Sequence, residues 1–326
     1  MMKKYFLIVA LLGVAIAANA SGVKDGSPRD KAIVQVFGNF HAGFGSENEY
    51  RGFELERSYL GYEYRLTEGL TVKGVVDIGK SNAVDDYHRI VYIKNAMLSW
   101  KRGDLTLSGG LIPTTLFNFQ EKFWGYRYVM KSYQDLYKFG SSADLGISVA
   151  YRFTDWISAD AVVLNGEGYK KIQVGSGLNY GLGITITPVK GLQMRLYGGL
   201  NEGGKSGMAN IVNMAAFVGY KSDRFAVGAE YNHMLNSSYD RGVDRYGYSL
   251  FASVVAAKFA NVYVRYDDQY ASIGGADDRE GQMAILGAEF KLGKYVKVAP
   301  NFRMSMPQHK TSHYRCYGYL NCSFGF

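Results

Sequence analysis

What most restricts the fold of this chain is a tight turn that recurs at nearly constant spacing. Such turns read at Thr67-Glu68-Gly69, Arg102-Gly103-Asp104, Thr154-Asp155-Trp156, Val189-Lys190-Gly191, Ser222-Asp223-Arg224, Phe259-Ala260 and Gly293-Lys294. They return about every 33 to 37 residues, the length of two strands plus one longer loop, with a single gap of about 52. Between turns the residues alternate. Leu70, Val72, Gly74, Val76 and Ile78 share one face, with Thr71, Lys73, Val75 and Asp77 on the other. Leu192, Met194 and Leu196 oppose Gln193, Arg195 and Tyr197, and Val262, Val264 and Tyr266 oppose Asn261, Arg265 and Asp267. Val296, Val298, Pro300 and Phe302 likewise oppose Lys297, Asn301 and Arg303.

A soluble sandwich also alternates, so it is the spacing that discriminates. The seven short turns alternate with eight longer polar links, at 46–51, 81–89, 113–142, 166–177, 201–208, 236–245, 272–280 and 307–315. Fifteen connections join sixteen strands, an even number that returns both ends of the barrel to one side. The expected fold is an all-β, antiparallel up-and-down transmembrane β-barrel of about 16 strands.

The first twenty residues carry Lys3 and Lys4, an apolar run from Tyr5 to Ala17, and a small-x-small site at Ala18-Asn19-Ala20. That is the pattern of a secretory signal peptide over 1–20, which leaves 21–326 as one barrel domain. The apolar run is shorter than the ~20 residues a helix needs to span hydrocarbon. Its removal takes two lysines and no acid, so the formal charge falls from +8 to about +6. Forty glycines and twenty-seven tyrosines against five prolines suit an outer-membrane barrel with aromatic girdles. The last strand places Leu320, Cys322, Phe324 and Phe326 on one face and stops on an aromatic, as a barrel-assembly signal would. Cys316 and Cys322, six residues apart in one extended strand, read as packing residues and not as a disulfide. The expected location is the outer membrane of a Gram-negative bacterium.

A barrel of about sixteen strands is too wide for side chains to fill, so a water channel is expected. Its inward face should carry Arg57, Glu63, Arg65, Lys73, Asp77, Asp160, Arg195, Glu230, Arg265, Asp267, Glu289, Lys297 and Arg303. Among these, Lys73, Arg195, Arg265, Lys297 and Arg303 are the candidate basic pore wall. The one long gap in the turn series holds residues 113–142, PTTLFNFQEKFWGYRYVMKSYQDLYKFGSS. This third link is rich in aromatics, and its Lys122, Arg127, Lys131 and Lys138 outnumber Glu121 and Asp135. Folded inward, it would pack its aromatics on the wall and present a positive constriction; left outside, it would be a surface loop or a contact for a neighbouring subunit. Inward folding is the expectation.

Three stretches, FELERSYLGYEYRL (53–66), KNAMLSWKRGDLTLSGGLIPTTLF (94–117) and SADLGISVAYRF (142–153), resemble the phosphate-selective porin O and P family. The middle one is similar to that family's paired strands ending at a glycine-proline corner before the inward loop. The resemblance implies a sixteen-stranded homotrimer whose third loop narrows the pore and whose basic residues conduct anions. By position in the loop, Lys122, Arg127 and Lys131 match an anion site. Between Gly110 and Pro113 this chain has Leu111 and Ile112, where the family pattern carries Gln and Lys.

Other classes find little support. Asp85, Asp86 and His88 with Asp277 and Asp278 imitate the constellation of a barrel-mouth protease, yet such pairs are commonly solvated loop acids. His309, His313 and Cys316 have metal-ligand spacing without an evident fourth ligand. No Walker loop, dinucleotide fingerprint or CxxC pair is present, so no cofactor, no metal and no enzymatic activity are expected. Nucleic acid is not an expected partner of an exported chain. The expected partners are small hydrophilic or anionic solutes and outer-membrane lipid, with a non-conducting structural or adhesive barrel as the rival reading.

Overall fold

A computed structural model describes residues 29–44, 50–81, 88–171, 175–307 and 314–326. The expected signal peptide, Asp85 and Asp86, and His309 and His313 lie outside the described residues. The strands are β1 Asp30–Phe44, β2 Arg51–Arg65, β3 Leu70–Lys80, β4 Arg89–Arg102, β5 Leu105–Pro113, β6 Ala143–Arg152, β7 Ile157–Leu164 and β8 Asn179–Ile186. They continue with β9 Leu192–Asn201, β10 Ile211–Lys221, β11 Phe225–Leu235, β12 Val243–Ala257, β13 Ala260–Ile273, β14 Ala276–Leu292, β15 Val296–Pro307 and β16 Arg315–Gly325. Each pairs antiparallel with its sequence neighbours, and β1 closes on β16, so no sheet edge is left open. No helix among the described residues is long and apolar enough to cross a membrane. Crossing by closed strands is the alternative that pairs every backbone group.

All seven expected short turns separate strands where the sequence places them. The link expected over 272–280 is instead a two-residue turn: β13 and β14 run on to Ile273 and Ala276, and only Gly274 and Gly275 turn, with φ of 60° and 87°. Two successive left-handed residues favour glycine, and such turns match the strand twist. Cys316 and Cys322 both sit on β16 and form no disulfide.

The pleat sends the apolar set outward. On β13, Val262 and Val264 are exposed on the exterior, whereas Arg265 and Asp267 are buried inside. Two strands change phase partway. On β2, Phe53 and Leu55 face out at one end and Leu60 and Tyr62 at the other, because Glu56 has no partner where Phe37 pairs Arg57 and Gly38 pairs Leu55. On β4 the same happens at Lys94, between Val75–Asn95 and Val76–Ile93. Each is a β-bulge, which re-aims a side chain. The result is that Arg57 and Lys94, on strands two apart, both reach the lumen.

Residues 114–142 fold inward and carry two short helices, α1 Asn118–Trp124 and α2 Tyr133–Leu136. Gly125, at φ 75°, ends α1 in the left-handed conformation and donates its N–H to the Glu121 carbonyl at 3.0 Å. The main apolar cluster of the protein lies here, inside the barrel. Phe123, Trp124, Tyr126, Tyr128 and Val129 pack on Phe37, Phe217, Phe251, Tyr263 and Ile285 of the wall. Wall glycines make the sockets. A Cβ on Gly219 would meet the Phe123 ring at 2.6 Å, and one on Gly247 would run into the Tyr133 hydroxyl and the Asp268 carbonyl. The loop aromatics are thus spent on the barrel's own wall and are not offered to a neighbouring subunit.

Candidate functional site

The loop lies within the lumen and is bonded to the wall from β9 round to β16. Its base is pinched where the Thr114 hydroxyl donates to the Ser141 carbonyl at 2.6 Å and the Thr114 N–H to the Ser142 carbonyl at 3.2 Å. Irregular backbone within a barrel needs partners for its carbonyls, and wall side chains supply them. Arg195 donates to the Thr115 carbonyl at 2.8 Å while paired with Asp160 at 2.7 Å. Arg265 donates to the Lys131 carbonyl at 2.6 Å, pairs with Asp267 at 2.7 Å, and lies 5.2 Å from the Trp124 ring. Arg303 donates to the Val129 carbonyl at 2.7 Å with its guanidinium 3.6 Å from the Tyr319 ring, and Asn321 donates to the Tyr128 carbonyl at 3.1 Å. The Tyr128 hydroxyl donates to Glu289 at 2.9 Å, and Tyr133 and Gln134 bond to Gln269 and Asn232.

These contacts place three of the expected wall arginines differently from a wetted surface. Arg195, Arg265 and Arg303 are 4%, 2% and 8% exposed, buried beneath the loop they hold. A guanidinium has five donors and no acceptor, which suits it to bind a carboxylate and a carbonyl together.

Unfilled space remains against β1–β4 and at the ends of β15 and β16, near residues 294–297 and 323–326. Two adjoining cavities, of about 350 and about 410 Å³, share Ile33, Gln35, Phe37, Lys73, Gly125 and Arg127 as walls. Their cations are Lys31, Lys73, Lys94, Lys122, Arg127, Lys294 and Lys297; among the described residues lining them, Glu121 is the single acidic side chain. Nearby acids are already engaged. Arg127 bridges Glu121 and Asp135, each at 3.1 Å, and Lys131 reaches Asp135 at 3.4 Å. Lys73 lies 3.5 Å from Glu63, and Lys297 3.4 Å from Glu289. The positive excess is therefore carried by the other lysines. Of the sequence candidates, Lys73, Lys122, Arg127 and Lys297 meet on this passage and Lys131 adjoins it. Lys138 sits exposed at φ 61° in the turn after α2 and lines neither cavity.

Lys31, Lys94, Lys170 and Lys294 escaped the sequence reading. The signal for Lys94 is present, since the outward set shifts from Val91 and Ile93 to Ala96 and Leu98 across the polar pair Lys94-Asn95. Lys170 comes from the link between β7 and β8, which bends over the passage: the Tyr169 hydroxyl bonds Asp77, and Arg57 reaches that hydroxyl at 3.4 Å.

The charge of the loop becomes more positive toward acid. Burial raises the Glu121 carboxyl above its ordinary value in spite of the opposing Arg127. Burial also pushes Asp135 upward, but Arg127 and Lys131 outweigh it and hold that carboxyl below its usual range. As pH falls through the raised Glu121 value, its negative charge disappears while Asp135 stays ionised, and the passage gains one net positive charge. Burial, then the charge of Arg57, lowers Lys170, so at alkaline pH its charge is lost before that of an ordinary lysine. The anion-to-cation permeability ratio is expected to rise on acidification and fall in alkali. Reversal potentials measured across pH check this, with Glu121→Gln abolishing the acid limb.

No protein-family model matches the chain, and no curated protein matches it. Solved structures do. The chain is similar to OprB of Pseudomonas putida at high pH, with TM-score 0.73 and 11% identity, covering 91% of this chain and 94% of that one. It is similar to the outer-membrane OmpT of Vibrio cholerae, also solved in a trimer form, with TM-score 0.66, 16% identity and 93% and 99% coverage. An anion-selective porin from Comamonas acidovorans gives TM-score 0.65, 12% identity and 91% and 99% coverage. At these identities the likeness is one of fold: the chain has the closed sixteen-strand barrel of the outer-membrane porins. The narrower resemblance to the phosphate-selective O and P family has no family match behind it.

Proposed function

We propose that this protein is a passive diffusion channel of the Gram-negative outer membrane, exported by its signal peptide, that admits small hydrophilic solutes with a preference for anions. The observation that carries this proposal is the pair of adjoining cavities between the loop and the wall, lined by seven cationic side chains and one acidic one. Positive charge there lowers the entry cost of an anion, and the sharing of Arg127 and Lys131 with acids keeps binding weak enough for exit. Phosphate is one of the anions the passage would take. No catalytic residue and no cofactor are proposed, and the channel is proposed to be a homotrimer, as the similar Vibrio cholerae protein also has a trimer form.

The test is reconstitution of the refolded full-length barrel in a planar bilayer under a potassium chloride gradient. Discrete conductance steps with a zero-current potential on the anion side are expected. A folded barrel that gives no steps overturns the channel and leaves the structural or adhesive barrel.

A further inference from the structure

The cavity of about 350 Å³ between β1–β4 and the loop has two chemically different sides. One is apolar, built from Ile33, Phe37, Val75 and the Tyr59 ring. The other is cationic in balance, with Lys73 and Lys94 from the wall and Lys122 and Arg127 from the loop against Glu121, which is paired with Arg127 at 3.1 Å. Compact hydrated anions such as chloride or phosphate gain nothing from the first side, since apolar surface costs a polar group its hydration without replacing it. An ion that carries its own apolar surface gains from both.

Lys94 sits where the two sides meet. The bulge that leaves it without a strand partner turns its ammonium into the lumen, 4.4 Å from the Tyr59 ring centroid and 3.1 Å from the Tyr59 hydroxyl. No carboxylate lies within ion-pair distance of it among the described residues. The pattern repeats next to it: Lys170 is 5.0 Å from the Tyr92 ring and 5.9 Å from the Tyr169 ring, and Lys94 is 5.7 Å from that same Tyr169 ring. Asp77, the nearby carboxylate, is held by Arg57 at 3.1 Å and by the Tyr169 hydroxyl. Cations interleaved with aromatic faces are arranged to take a planar ring on the tyrosines and its negative charge on the lysines. The volume falls within the roughly 300–1,000 Å³ of small-molecule sites.

We propose that this cavity is a binding subsite for small aromatic carboxylates, of which benzoate is the simplest, with the ring against Phe37 and Tyr59 and the carboxylate on Lys94. The subsite deepens the channel reading by naming the substrate class, and it rests on that reading only for passage, not for binding.

The probes are benzoate, acetate and inorganic phosphate, each titrated against chloride current through the full-length barrel and against the same barrel in detergent by calorimetry. Benzoate is expected to block and to bind at concentrations about tenfold lower than acetate or phosphate. Lys94→Met and Tyr59→Ser should each raise the benzoate half-block concentration about tenfold, while Lys94→Arg, which keeps the charge, should retain the block. Equal potency of benzoate and acetate, or strongest block by phosphate, overturns the subsite and leaves the channel standing. Benzoate binding in detergent by a folded barrel without conductance steps supports the subsite and overturns the channel.

Discussion

Replacing Arg265 by alanine is expected to free the inward loop and raise single-channel conductance, with a loss of barrel stability. The side chain does three things at once: it pairs with Asp267, donates to the Lys131 carbonyl and lies against Trp124. Asp267 is fully buried, so removal of its partner leaves an uncompensated charge, a change that costs about 3–5 kcal/mol. Each of the neutral loop bonds contributes only about 1 kcal/mol net. Arg265 therefore outweighs any neutral contact that holds the loop. Arg265→Ala/Asp267→Ala removes the stranded charge, so it should recover most of the stability but none of the anchoring. Conductance then stays high while the melting temperature, read from heat-modifiable migration in gels, returns toward wild type. If the double variant also restored wild-type conductance, the anchoring role of the arginine would be lost.

The second large effect is a change of sign. Replacing Lys122, Arg127 and Lys131 together by glutamate should convert the passage from anion- to cation-preferring, read as inversion of the zero-current potential in a salt gradient. The structure strengthens the expectation, because Arg127 now balances both Glu121 and Asp135. Its reversal exposes those two carboxylates in addition to the three new ones. The effect should be larger in dilute salt, where screening reaches ~30 Å at 0.01 M against ~10 Å at 0.1 M. Lys122, exposed and without an ion pair among the described residues, serves as a control that leaves the loop's bridges intact. Lys122→Glu alone should shift the potential in the same direction by a smaller amount. An unchanged potential in the triple variant would transfer selectivity to Lys73, Lys94 and Lys297 on the wall.

Pairing on the wall explains how an inner face of mixed sign leaves a positive passage. Of the acids on the inner face, Asp77, Asp160 and Asp267 are each tied to an arginine at 2.7 to 3.1 Å, so they contribute little field to the passage. The mixed-sign wall read from alternation becomes a positive passage once those pairs are formed. Pairing across strands is invisible to strand periodicity, which places a residue on a face but does not say which neighbour it meets.

The barrel, its strand number and most of its inward face were determined by the sequence alone. Turn spacing and period-two alternation are local properties, and closing a sheet in a membrane converts them directly into architecture. Even the phase shifts at Glu56 and Lys94 are written in the positions of Leu55, Leu60, Ile93 and Ala96. The link at 272–280 marks the limit, since its polar residues extend the strands and only the two glycines turn. What tertiary structure alone decided is the division of labour among like residues. Arg195, Arg265 and Arg303 alternate in the same way as Lys73 and Lys297, yet the first three lie under the loop and the other two face the passage. The reason is that loop carbonyls in a lumen must find donors, and only the folded path of residues 114–142 determines which arginines those carbonyls reach.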